Sequence, residues 1–279
     1  MLKLNLAYPD KSEIKYKISK FPDGQQDIVI LGIPSNDELH EHCTIISRFN
    51  SWKDLELIAC AKRALDAFGY KVSLYIPYLL GARSDRKFVT GGNSYLVNVL
   101  APVLNNLDFY CIEVMDAHSD VAAACIKNLN NLKNYNLIDY YLRSEGKNGI
   151  VWVSPDAGAY KKVFDVAKYF GMGNIVTAMK HRDIETGNII STEIQIPDSL
   201  KNHRFVIVDD ICDGGRTFIE LSKAINHATD ERNDNIDLVV THGIFSAGFE
   251  MLKEHLSNIY CTNSYSDIET GFVRQLKVL

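Results

Sequence analysis

The segment Phe205–Phe218, FVIVDDICDGGRTF, restricts the possible folds more than any other part of the chain. It opens with an apolar run that shows no polar alternation, the pattern of a strand whose sheet is covered by helices on both faces. Asp209 and Asp210 close that run, and Asp213-Gly214-Gly215 then turns the chain into a helix beginning near Thr217. A strand, acidic turn and helix in this order belong to an open parallel α/β sheet. Such sheets bind ligands beyond the carboxyl ends of their strands.

The same grammar recurs along the chain. IVIL (Ile28–Leu31), CTIISRF (Cys43–Phe49), VSLYIP (Val72–Pro77) and DFYCIEVMD (Asp108–Asp116) read as strands. Helices are expected over Trp52–Phe68, ended by Gly69, and around Tyr95–Leu104. In the second half, IVWVS (Ile150–Ser154), IVTAM (Ile175–Met179) and DLVVTH (Asp237–His242) are strands, and Ala159–Phe170 and Thr217–Asn226 are helices. The polar, Asn-rich stretch Lys127–Asn136 is the natural break, giving an N-terminal α/β domain over 1–128 and a C-terminal one over 129–279.

Composition excludes several classes. With 46% hydrophobic and 23% charged residues, the 279-residue chain has ordinary globular composition. A net charge of -5 argues against nucleic-acid binding, which needs excess Lys and Arg. No apolar run approaches the roughly 20 residues of a membrane span, and the start lacks a secretory signal. Six scattered cysteines without a C-x-x-C pair suit reduced thiols. These features point to a soluble, cytoplasmic protein.

Each part of the Asp209–Thr217 turn has a physical use. Gly214 and Gly215 permit tight folding, so that successive backbone N–H groups face an anion at the positive end of a helix. Asp213 and Thr217 support the turn, and Asp209 and Asp210 are placed to accept hydrogen bonds from two ribose hydroxyls. Asp213 alone would read equally well as a helix cap. The whole pattern resembles the phosphoribosyl pyrophosphate loop shared by type I phosphoribosyltransferases and ribose-phosphate pyrophosphokinases.

Four further segments, in order, resemble the ribose-phosphate pyrophosphokinase family specifically. FPDGQ (Phe21–Gln25) is similar to the family's F-x-D-G-E, which holds adenine in a neighbouring subunit's site. Phe21, Asp23 and Gln25 thereby become ATP contacts. YLLGARSDRK (Tyr78–Lys87) resembles the ATP loop and assigns Arg83, Ser84 and Asp85 to the nucleotide, with Arg86 and Lys87 adding positive charge. VMDAHSD (Val114–Asp120) places His118 where the family has a Mg²⁺- and nucleotide-associated histidine, beside Asp116. VSPDAG (Val153–Gly158) supplies Asp156 as a Mg²⁺ carboxylate, and AMKHRD (Ala178–Asp183) supplies Lys180 and Arg182 as the catalytic pair. The polar stretch Glu185–Gln195 is then expected to fold over the site. THGIFSAG (Thr241–Gly248) is a further family-like signature with a structural role.

The resemblance implies two similar domains of the type I phosphoribosyltransferase fold. It also implies transfer of the β,γ-diphosphate of ATP to the anomeric hydroxyl of ribose 5-phosphate, with Mg²⁺ as cofactor. An adenine site shared between subunits implies a homo-oligomer, a dimer or hexamer. A phosphoribosyltransferase would not need the ATP-loop and His118 segments, and a non-catalytic regulatory homologue would not need Asp156, Lys180 and Arg182.

Four departures stand out. Ser84 replaces the family's Gln, Gln25 its Glu, and the segment before FPDG is short, which sets aside the family's regulatory site. The phosphate loop, commonly D-T-A-G-T, is here Asp213-Gly214-Gly215-Arg216-Thr217. Two glycines give room and Arg216 a fixed charge, so ADP-ribose, a substrate of NAD⁺ salvage, is the alternative acceptor.

Overall fold

A computed structural model of the chain describes residues 1–32, 42–182, 189–229 and 235–279, with the side chains of 180–182 and 189–190 left outside the description. The chain divides into two compact units, Met1–Lys133 with Val278–Leu279, and Asn134–Lys277.

In the first unit, β1 (Leu2–Asn5), β4 (His42–Ile46), β5 (Lys71–Tyr75), β6 (Ile112–Met115) and β7 (Leu129–Leu132) form a parallel sheet in the order β1-β4-β5-β6-β7. The division falls slightly later than the expected 128/129 break because β7 pairs with β6. Helix α1 (Trp52–Ala67) opens with a capping box, in which the Asp54 carboxylate accepts the Ser51 N–H at 2.8 Å. It buries Leu55, Ile58 and Leu65, each burial contributing roughly 1.5–3 kcal/mol. The helix expected around Tyr95–Leu104 is present, its first part a π-helical stretch, Leu96–Leu100, that runs directly into α2 (Ala101–Leu107). The Ala101 N–H donates to the Leu96 carbonyl, five residues back, and Pro102 has no N–H with which to continue the ordinary ladder. A short helix, α3 (Val121–Cys125), follows β6.

IVIL does not enter this sheet. It lies in β3 (Gln26–Gly32), which forms an antiparallel hairpin with β2 (Lys15–Lys20). Alternation decides the matter: Ile28 is buried, whereas Val29 and Leu31 are exposed. The hairpin is tied to α1 by Gln26, whose Nε2 donates to the Lys53 carbonyl at 2.6 Å.

In the second unit, α4 (Tyr135–Glu145) precedes a seven-stranded sheet in the order β10-β9-β8-β11-β12-β13-β14. Its strands are β8 (Ile150–Ser154), β9 (Ile175–Arg182), β10 (Ile189–Ile194), β11 (Arg204–Cys212), β12 (Ile236–Gly243), β13 (Asn258–Thr262) and β14 (Val273–Leu276). All neighbours are parallel except β9 and β10. Helices α5 (Tyr160–Phe170), α6 (Arg216–Ala228) and α7 (Glu250–Lys253) complete the unit. Two apolar clusters pack this sheet: one includes Val151, Phe205, Leu221 and Leu238, the other Trp152, Val206, Val208 and Tyr141. Alternate residues of β11 enter different clusters, which explains its unbroken apolar run. Of the polar stretch Glu185–Gln195 expected to fold over the site, residues 185–188 lie outside the described residues, and Ile189–Ile194 form β10, which pairs with β9 from Ala178 to Arg182.

Among the described residues no helix is long and apolar enough to cross a membrane. All six cysteines are free.

Candidate functional site

In the second unit the carboxyl edge of the sheet gathers the polar groups. Asp209 and Asp210 close the apolar part of β11, Asp210 buried and Asp209 half-buried. Asp209 Oδ1 accepts the Asp210 backbone N–H at 2.9 Å. Burial, together with the neighbouring Asp210 charge, pushes the Asp209 carboxyl well above the usual carboxylate range. Lys162 on α5 and the Asp210 backbone N–H pull in the other direction. Lys162 Nζ lies 3.4 Å from Asp210 Oδ1.

Beyond β11 the turn depends on glycine. Gly215 has φ +79°, and a Cβ there would lie 2.8 Å from Leu252 Cδ2. Only glycine combines that left-handed backbone with so close an approach. Helix α6 begins immediately afterwards at Arg216. The first N–H groups of any helix have no intrahelical acceptor, so this turn presents amides and positive potential together. Gly214 and Arg216 are exposed and Thr217 is half-buried.

The Thr241–Gly248 segment holds the turn in place. Cys212 and Gly243 pair across β11 and β12, and the Ile244 N–H donates to the Cys212 carbonyl at 2.8 Å. Ser246 Oγ donates to Asp213 Oδ1 at 2.6 Å. Sequence reasoning treated this segment as structural and missed Ser246. A serine one residue after an apolar strand-end segment carries no signal of its partner, which lies 33 residues away.

Asp156 stands after β8, next to β11 in the sheet. It is half-buried, and its Oδ1 accepts the Ala159 N–H at 3.0 Å, while the buried Ser154 Oγ donates to the Asp156 carbonyl at 2.7 Å. Lys180 and Arg182 lie at the end of β9 by backbone register, opposite Thr192 and Ile189. Their side chains lie outside the described residues.

In the first unit the 78–87 and 114–120 segments meet. Gly81, with φ +76°, sits so close to Tyr95 that a Cβ would come within 2.4 Å of its ring. The Ser84 N–H donates to the Gly81 carbonyl at 2.9 Å. Ser119 Oγ donates to Asp85 Oδ2 at 2.6 Å, joining the loop that carries Arg83 to the loop that carries His118. Arg83 and His118 are exposed. Asp116 is buried with φ +45°, a backbone uncommon for a residue with a Cβ. Such strain collects where a loop is held for a purpose. Phe21, Asp23 and Gln25 form the tip of the β2–β3 hairpin. There the Phe21 N–H donates to the Gln25 carbonyl at 2.8 Å and Asp23 Oδ1 accepts the Gln25 N–H at 3.1 Å. Neither bond reaches Arg83 or His118.

Among the described residues no three His, Cys, Asp or Glu side chains cluster as a metal site. Magnesium keeps several waters and is commonly bound through one or two carboxylates plus substrate phosphates. Asp156, a half-buried carboxylate at the strand edge, fits an ion of that kind. His118 offers nitrogen where magnesium prefers oxygen.

A parallel α/β pair of units, the second ending a central strand in two acids above a glycine turn, defines a protein of the phosphoribosyltransferase fold type. Phosphoribosylpyrophosphate synthetase from Mycobacterium smegmatis superposes with a TM-score of 0.79 over 100% of this chain and 95% of its own, at 16% identity. No family model matches the chain. Ribose-phosphate pyrophosphokinase 2 of Saccharomyces cerevisiae is 26% identical over 229 residues, covering 80% of this chain and 70% of the relative. The ribose-phosphate pyrophosphokinase of Pyrococcus abyssi is 26% identical over 259 residues, covering 90% and 84%. That of Mycoplasma genitalium is 22% identical over 276 residues, covering 96% and 80%. The chain is thus similar along most of its length to proteins named ribose-phosphate pyrophosphokinase.

Proposed function

We propose that the protein is a ribose-phosphate diphosphokinase. It transfers the β,γ-diphosphate of ATP to the anomeric hydroxyl of ribose 5-phosphate, giving phosphoribosyl pyrophosphate and AMP. The observation that carries this reading is the Asp209–Asp210 pair closing β11 above the Gly215 turn. It occurs in a chain whose relatives bear that activity in their names.

The first unit holds the nucleotide through Arg83, Ser84, Asp85 and His118, and Phe21, Asp23 and Gln25 contact adenine across a homo-oligomer. In the second unit, the turn Asp213–Thr217 binds the sugar phosphate and Asp209 and Asp210 accept two ring hydroxyls. The anomeric oxygen attacks the β-phosphorus of ATP, the bond from that phosphorus to the α,β-bridging oxygen breaks, and AMP leaves. The hydroxyl proton passes to solvent. Phosphoryl-type transfer asks the protein mainly for positioning and charge neutralisation. Lys180 and Arg182 neutralise charge on the transferred and leaving oxygens. Mg²⁺ near Asp156 supplies further charge neutralisation when bound. The protein works in the cytoplasm.

ADP-ribose is the alternative acceptor, and one observation speaks for it. Arg216, the first residue of α6, is exposed and forms no hydrogen bond or ion pair with any described residue. A guanidinium placed there is available to a second phosphate. One series decides between the acceptors: Mg-ATP with ribose 5-phosphate or with ADP-ribose, followed by AMP release and ³¹P NMR. AMP formation dependent on ribose 5-phosphate is the expected result. Dependence on ADP-ribose alone transfers the reading to that acceptor, and AMP formation with neither refutes both.

A further inference from the structure

Two adjacent lysines on α5 have different fates. Lys161 is exposed, whereas Lys162 turns inward and its Nζ is shielded from solvent. That ammonium faces the end of β11, 3.4 Å from Asp210 Oδ1, with side-chain exposures of 19% and 7%. A shielded lysine is costly unless it is held by an opposite charge. Nothing in the local sequence around Lys162 marks it for a role.

The acid pair has the complementary need. Two neighbouring carboxylates in a partly buried place repel one another, and like charges disfavour joint ionisation. Only ionised carboxylates accept without also donating, which is what two sugar hydroxyls require of them. Around the pair, β11 contributes Asp209 and Asp210 themselves and, at its end, Cys212, with Asp213 just beyond it. Strand β12 contributes His242, which pairs with Ile211, and α5 contributes Lys162. Of these, Lys162 brings the ammonium, 3.4 Å from Asp210 Oδ1.

We infer that Lys162 is a positioning residue for the acceptor sugar: its ammonium, held 3.4 Å from Asp210 Oδ1, favours the ionised form of the Asp209–Asp210 pair and orients it to accept two hydroxyls. The inference rests on the proposed acceptor role of that pair. It assigns Lys162 no contact with the reacting atoms, so the signature is acceptor affinity and its pH dependence rather than turnover alone.

The test compares Lys162→Met, Lys162→Arg and the neighbouring Lys161→Met with the parent. Calorimetry measures ribose 5-phosphate and ADP-ribose binding, and ¹³C NMR follows the aspartate carboxyls through pH without substrate. Lys162→Met should weaken acceptor binding about tenfold and move the acid-pair titration up by about one pH unit, one unit being a factor of ten. ATP binding should stay within about twofold, well under the factor of ten that one pH unit represents. Lys162→Arg should restore most of both properties, and Lys161→Met should change neither. Unchanged carboxyl titrations and acceptor binding in a folded Lys162→Met protein overturn the inference. A parent protein that binds neither acceptor overturns the functional reading instead, while the carboxyl titrations still report on Lys162. If Lys162→Met fails to fold, Lys162→Gln takes its place, read by the same NMR titration.

Discussion

Replacing Gly215 by alanine isolates the backbone requirement of the proposed phosphate turn. Two costs follow from the coordinates. The left-handed φ of +79° penalises a Cβ by roughly 1–2 kcal/mol. The new methyl would also meet Leu252 at 2.8 Å to Cδ2, 3.2 Å to Cγ and 3.3 Å to Cδ1. Leu252 is buried and cannot swing into solvent, so overpacking adds roughly 1–3 kcal/mol. Alanine stiffens the unfolded chain and returns about 0.4–1 kcal/mol. A net loss of roughly 1–5 kcal/mol is expected.

Fluorescence can read this loss in the second unit. The chain has two tryptophans, Trp52 on α1 and the fully buried Trp152 on β8. A Trp52→Phe background leaves Trp152 as the sole reporter during urea unfolding. Gly214→Ala is the control, because the nearest atom to its added methyl is Ser246 Oγ at 4.0 Å and its φ is not left-handed. It should change stability by less than about 0.5 kcal/mol. On a Leu252→Ala background the steric share of the Gly215→Ala penalty should vanish, leaving roughly the 1–2 kcal/mol backbone share. Equal stability of the Gly215→Ala and Gly214→Ala proteins would refute the reasoning. An undiminished penalty on the Leu252→Ala background would refute its steric half.

Other perturbations address the chemistry. Ser246→Ala removes the 2.6 Å bond to Asp213; acceptor KM should rise a few-fold with kcat nearly unchanged, measured by AMP release. Ser119→Ala, which frees Asp85 from its 2.6 Å partner, should raise KM for ATP rather than for the sugar. Lys180→Ala or Arg182→Ala should lower kcat by roughly 10²–10³ while the fold survives; near-normal turnover in both removes them from the mechanism. Asp209→Asn should abolish acceptor binding yet stabilise the fold at neutral pH. The Asp209 carboxyl is raised in the folded state, so its stabilising contribution is present below the unfolded value of about 4 and is lost as pH rises through the folded one. The stability difference in thermal unfolding should therefore shrink towards zero below about pH 4.

Legibility followed the range of the forces involved. Strand β8 and the ends of α1 were readable because apolar runs and caps are local signals. That Ile28–Leu31 is a strand was readable too, but its place in a hairpin was not, because IVIL is compatible with either a covered or a half-exposed strand, and only its pairing with β2 decides. Strands β13 and β14 and helix α4 passed unnoticed because polar and aromatic residues interrupt their apolar pattern. Tyr141 and Asn258 are there to bond Asp237, a tertiary partner that no sequence window contains. The strand, turn and helix around Asp209 to Thr217 were legible in outline, whereas the ties of Lys162 and Ser246 to them were not. Their meaning lies in contacts 48 and 33 residues away in sequence.

Two aspartates on adjacent strands show why the carboxyl edge, and not merely any buried acid, marks the site. Asp237 stands at the start of β12 and is raised first by burial. The protein answers that cost: Tyr141 OH and Asn258 Nδ2 each donate to it at 2.9 Å. Asp209 stands near the far end of β11, is also raised first by burial, and receives the backbone N–H of its own neighbour. Burial is common to both; satisfaction by donors from other elements belongs to Asp237. A protein that surrounds one aspartate with side-chain donors, and gives the other a second acid and a lysine beyond it, has left hydroxyl-accepting capacity at one edge of the sheet. That asymmetry lies directly before the Gly215 turn at the start of α6, and the proposed ribose phosphate carries hydroxyls for the acids and an anion for the helix N-terminus.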